Sequence, residues 1–168
     1  GFRDPYNVGR ENTMAQEATH SSGRPETREE IRIGQLAIRF LVEGRESGGS
    51  AAVFEFDVGP GAKVPVAHSH DGYEEIIYGL AGVLTFTVDG RTVEVRPGEA
   101  LCIPRGAVHR FDNHHAAEAR MLAIASPGIL GPDYFRETAA VIKAAAGGPP
   151  DAAALAEVMR RHGLMPAK

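Results

Sequence analysis

His68 and His70 are separated by a single residue. In an extended strand that spacing turns both imidazoles to one face, where they can share an ion. Carboxylates follow at Glu74 and Glu75, past an Asp71-Gly72 turn that breaks the parity count and leaves either acid able to face the pair. Glu75 begins an alternation with Ile77 and Gly79, whereas Glu74 keeps step with Ile76 and Tyr78. Far along the chain His109 follows the turn Pro104-Arg105-Gly106. Three imidazoles and a carboxylate form a borderline nitrogen and oxygen set. It suits iron, nickel, manganese, copper or zinc, and lacks both the all-oxygen shell of calcium and the thiolates of structural zinc. Such an ion polarises carbonyls or enolates, or lowers the pKa of bound water.

These residues need short strands to hold them, and the sequence supplies the pattern. Leu36, Ile38 and Phe40 share one face at period two, as do Phe54, Phe56 and Val58. VLTFTV and RTVEV flank Asp89-Gly90, a pair suited to a type I′ hairpin because both central residues need positive φ. Frequent Gly and Pro punctuation with no strand–helix rhythm predicts an antiparallel barrel or sandwich. After Ser126 the spacing becomes helical. One helix is predicted from Pro132 to Gly147-Gly148, with Phe135, Ala139, Ile142 and Ala146 as its stripe. A second starts at an Asp151 N-cap and ends at Gly163. Three regions result: a polar N-terminal arm over 1–30, a β-barrel over 31–126, and a helical extension over 127–168 packed against the outside of the barrel. Met14 is a candidate start, which leaves open whether residues 1–13 are native.

Taken together the motifs resemble the cupin superfamily, in particular small quercetinase-like single-domain members. His68-Ser69-His70, four residues, Glu75, six residues and Gly82 fit the first cupin motif. Gly98, Pro104, Gly106, His109 and Asn113 fit the second at every spacing. One departure is Gly61, six rather than five residues before His68, where a local bulge is expected. The match covers roughly residues 53–126. It implies an all-β fold, a double-stranded β-helix of jelly-roll type, with two C-terminal α-helices. It also implies a divalent transition metal held by His68, His70, Glu75 and His109, and so favours Glu75 over Glu74.

Residues in step with the ligands should line the interior: Val66, Ile77, Gly79 and Phe111, with Leu84 or Phe86 and Cys102 as further candidates. Gly79 reads either as room for a ligand or as a place of close backbone packing. Tyr73 and Tyr78 flank Glu75 and are candidates for orienting a substrate. Asn113 should hydrogen-bond backbone, and His114 and His115 should lie in an exposed loop. The resulting expectation is a metal-dependent enzyme acting on a small organic substrate, of dioxygenase type, with Glu75 as both ligand and proton acceptor. A non-catalytic small-molecule-binding cupin and a cupin isomerase or epimerase are the alternatives.

Composition narrows the classes. With 168 residues, 43% hydrophobic and 24% charged, the chain has the size and balance of one ordinary globular domain. Eighteen basic against 22 acidic residues give a net charge of −4, and the arginines are scattered, so nucleic acid is not an expected partner. The single cysteine, Cys102, rules out an intrachain disulfide and a multi-cysteine zinc site. No charged segment followed by an apolar run opens the sequence, and no apolar stretch is long enough to span a bilayer. A cytoplasmic homodimer is the expectation, with Ile31 to Val42 offered as an edge strand to the partner copy.

Overall fold

The computed structural model describes residues 28–62 and 66–167. The predicted arm therefore lies outside the described residues up to position 27, and so does most of the segment in which the bulge after Gly61 was expected. The strands in chain order are β1 (Ile31–Ile33), β2 (Leu36–Val42), β3 (Ala52–Val58), β4 (His68–His70) and β5 (Glu74–Ala81). They continue with β6 (Leu84–Val88), β7 (Arg91–Val95), β8 (Ala100–Ile103), β9 (His109–Asp112) and β10 (Ala119–Ser126). Two helices, α1 (Pro132–Ala144) and α2 (Ala152–Arg161), precede a last strand, β11 (Leu164–Pro166).

Two sheets face each other as a jelly roll. One has the order β1-β2-β3-β10-β5-β8 and the other β11-β4-β9-β6-β7. The strand-to-strand ladders within both are antiparallel. Alternation decides which side chains meet between them. Leu36, Ile38, Phe40, Phe54, Phe56 and Val58 are all buried, as their period-two spacing requires. The hairpin between β6 and β7 turns at Asp89 and Gly90, with φ of 47° and 78°, and pairs Val88 with Arg91. On the outer face Asp57 accepts from Arg120 Nε at 2.7 Å and Arg39 Nη2 at 2.8 Å, tying β3 to its two neighbours. Burial pushes that carboxyl up, but the two guanidinium groups outweigh it and hold it below the usual carboxylate range.

The helices differ in two respects from the sequence expectation. Asp151 caps α2 as predicted, its Oδ1 accepting from Ala153 and Ala154 at 2.9 and 3.0 Å. In α1 the predicted Phe135, Ala139 and Ile142 pack against the core, but Tyr134 and Thr138 are the more deeply buried positions and Ala146 is exposed, so the inner face is wider than the stripe and ends sooner. The extension also does more than pack outside. Phe135 meets Phe40 and Phe54 of the first sheet with ring centroids at 5.9 and 5.6 Å, and it lines the space between the sheets. No helix among the described residues is long and apolar enough to cross a membrane.

Candidate metal centre and cavity

β4 and β9 are adjacent in one sheet, and His68 sits directly opposite His109. The Pro104-Arg105-Gly106 turn sets that pairing: Gly106, at φ 78°, donates its N–H to His70 O at 2.9 Å. Glu75 comes from β5 in the facing sheet, paired with Ile103 and Ala125. Its neighbour Glu74 is bonded to Arg105 at the surface, which resolves the parity question in favour of Glu75. The ligand atoms of His68, His70 and His109 lie within 4.8 Å of one another. Glu75 Oε2 is 3.3 Å from His70 Nε2 and 3.7 Å from His109 Nε2.

The backbone fixes the orientation of all three rings. His68 Nδ1 lies 3.1 Å from Val66 O, His70 Nδ1 2.9 Å from Tyr73 O, and His109 Nδ1 2.9 Å from Ala107 O. A carbonyl can only accept, so each Nδ1 carries the proton and each Nε2 is the atom left to meet an ion. That is the arrangement in which metal-binding histidines are held by an outer hydrogen bond. The donor set therefore fits a divalent transition metal on its chemistry as well as its spacing.

Electrostatics agree with a ligand cluster. Burial pushes His68 down to about 4, aided by the neighbouring His109, so its ring is neutral at physiological pH. For Glu75 burial acts upward, but the adjacent His109 and His70 rings prevail and hold it down at about 2. Burial also works to lower His109, yet the adjacent Glu75 carboxylate raises it on balance.

His68, Glu75 and His109 contribute to the polar part of the wall of a cavity of about 60 Å³ between the sheets, with His70 behind Tyr73. Ile77, Phe86 and Phe111 line it as the alternation predicts. Other predicted interior residues lie elsewhere. Val66 is 59% exposed, and its contribution to the site is the backbone carbonyl that holds His68. Cys102 is exposed, because β8 turns its neighbour Ile103 inward instead. Tyr78 is 41% exposed, on the opposite face of β5 from Glu75. Gly79 faces the loop before β8: its N–H donates to Glu99 O at 2.9 Å, and its carbonyl accepts from Gly98 at 3.0 Å. A Cβ there would fall on the carbonyl of Arg96, so the glycine permits close backbone packing and adds no room for a ligand. Gly79→Ala is accordingly expected to cost about 1–3 kcal/mol in thermal unfolding, through overpacking. It should leave ligand affinity, measured by titration, unchanged.

Sequence reading also missed parts of the wall. Leu130 and Tyr134 come from the helical extension, and Leu164 from β11. Tyr73 does line the cavity, buried against His70 with centroids 4.0 Å apart and planes at 13°. Asn113 behaves as expected. Its Nδ2 donates to Val58 O at 2.8 Å and Ala117 O at 2.9 Å, closing the turn that leads into β10. His114 and His115 are exposed.

Residues 54–125 match the Cupin_2 family, the cupin domain. Over 80 residues the chain is 34% identical to quercetin 2,3-dioxygenase of Bacillus subtilis, a match that covers 46% of this chain and 23% of that protein. Over 68 residues it is 38% identical to polyketide synthase CurC of Streptomyces cyaneus, covering 40% of this chain and 44% of the relative. The match thus spans between a quarter and a half of these relatives' length. Among solved structures, the polyketide cyclase RemF of Streptomyces resistomycificus superposes with a TM-score of 0.52 at 26% identity, over 67% of this chain and 87% of that one.

Proposed function

Residues 54–125 of this chain form a cupin domain, and from that premise we propose that it is a metal-dependent enzyme acting on a small enolic or phenolic ring compound, with dioxygen insertion as the reaction. The observation that carries this reading is the set of three histidines, each with Nδ1 tied to a carbonyl and Nε2 left for an ion, two of which, His68 and His109, line an aromatic cavity. His68, His70, Glu75 and His109 would hold the ion. When bound, iron, nickel, copper or manganese would supply Lewis acidity and dioxygen chemistry, and zinc Lewis acidity alone.

The chain's own residues do the remaining work. Phe86 and Phe111, 5.8 Å apart, offer apolar contact to a ring and keep water from the polar wall. Glu75 is anionic at every physiological pH, which a ligand requires. The same low pKa makes it a weak proton acceptor beside His70 and His109.

The relatives support the substrate class. Quercetin is a polyphenol and polyketides are enolisable polycarbonyl chains, so the named compounds share an acidic enol or phenol oxygen. The likeness to a cyclase motivates a second reading, a cyclisation or isomerisation that needs no dioxygen. The test is metal analysis of protein purified without added metal, followed by oxygen-electrode traces with flavonols and single-ring enolones. A redox-active metal with oxygen uptake matching substrate loss is the expected result. Substrate loss at the same rate under nitrogen would overturn the dioxygenase and favour the second reading.

A further inference from the structure

Tyr73 is 1% exposed, yet its hydroxyl has no hydrogen-bond partner among the described residues. A buried hydroxyl without a partner costs stability, so its retention calls for something that satisfies it. Two contacts fix where the group points. The Tyr73 carbonyl accepts from His70 Nδ1 at 2.9 Å, and the phenol ring lies flat on the His70 imidazole at 4.0 Å. The ring therefore cannot swing out to water, and its edge belongs to the same cavity wall as Glu75 and His109. Apart from His68 and Tyr134, neither of which hydrogen-bonds the hydroxyl, the rest of that wall is aliphatic and aromatic carbon.

We propose that Tyr73 is a substrate-positioning residue whose hydroxyl donates a hydrogen bond to a ring-borne carbonyl or enolate oxygen of the ligand. The proposal rests on the substrate class argued above and deepens it. A ligand with two neighbouring oxygens can direct one to the histidine cluster and the other to Tyr73, which selects for vicinal oxygen pairs over bare rings. The benefit exists only in the complex, because in the free protein the hydroxyl is a liability.

Tyr73→Phe tests this, since it removes the hydroxyl and keeps the stacked ring. Tropolone, a single ring bearing adjacent carbonyl and enol oxygens, is the probe, and toluene is the ring without oxygen. In metal-loaded and metal-stripped protein alike, the tropolone Kd of Y73F should rise about 3- to 10-fold, the size of one neutral hydrogen bond. The toluene Kd should not change. Ligand-free Y73F should melt about 2–4 °C higher than the parent, because a buried unpartnered hydroxyl has gone. Equal tropolone affinity, no tropolone binding by the parent, or a lower melting temperature for Y73F would each overturn the assignment. The two proposals fail separately. A parent that binds no metal but loses tropolone affinity on Y73F removes the enzyme reading and leaves Tyr73 in place. Full metal with unchanged tropolone affinity does the reverse.

Discussion

His68→Ala or His109→Ala should reduce metal content from about one ion per chain to a trace, with affinity falling by at least about 100-fold. Each substitution removes one of three nitrogen donors that lie within 4.8 Å of one another. Both variants should stay folded, because each ring borders the cavity and the smaller side chain introduces no clash. Elemental analysis after dialysis, with circular dichroism as the check on folding, decides it. Full occupancy in both variants would end the ligand assignment. The same site predicts release in acid. Protons compete for the Nε2 atoms, and His109 takes one first because Glu75 raises it, while burial keeps His68 resistant until about pH 4. Stability of the metal-free protein follows the same sign. Between an ordinary histidine value of about 6.5 and about 4, the unfolded chain binds a proton at His68 that the folded chain refuses, so stability falls as pH drops through that window.

Removing residues 164–168 should weaken metal binding at least about 10-fold and lower the melting temperature, although none of these residues is a ligand. β11 pairs Leu164 with His70 and Pro166 with His68, and Ala167 donates its N–H to Ala67 O at 2.8 Å. Without it the histidine strand becomes a sheet edge, held on one side only by its short pairing with β9. Leu164 is buried in the cavity wall, so Leu164→Ala alone should cost about 2–4 kcal/mol in chemical denaturation. Met165→Ala, at an exposed position, is the control and should change neither quantity. Unchanged metal affinity in the truncated chain would show that β4 holds its shape unaided.

The readable parts of the site were those fixed by local rules. His-x-His on a strand, the Asp89-Gly90 turn and the Asp151 cap each depend on a few neighbouring residues, and each stands where its chemistry requires. The misplaced residues depend on distant ones. Gly79 is explained by the carbonyl of Arg96, which no spacing within β5 announces. Cys102 fails by one step of parity after the Gly98 turn, which is enough to exchange it with Ile103. β11 is three residues long, contains a proline and pairs with a strand far away in sequence, so neither length nor alternation marked it. The α1 stripe is legible at Phe135, Ala139 and Ile142, whereas the burial of Tyr134 and Thr138 depends on the sheets they meet, which helical spacing alone does not announce.

The part of the wall formed by Leu130, Tyr134 and Phe135 belongs to chain outside residues 54–125, and so does Leu164. The proposed metal ligands all fall inside that range. Part of the cavity wall is thus encoded outside the stretch that carries the histidine cluster, although Tyr73, Ile77, Phe86 and Phe111 lie inside it. A graft of residues 127–167 between relatives would therefore alter one side of the cavity wall while leaving the histidine cluster in place.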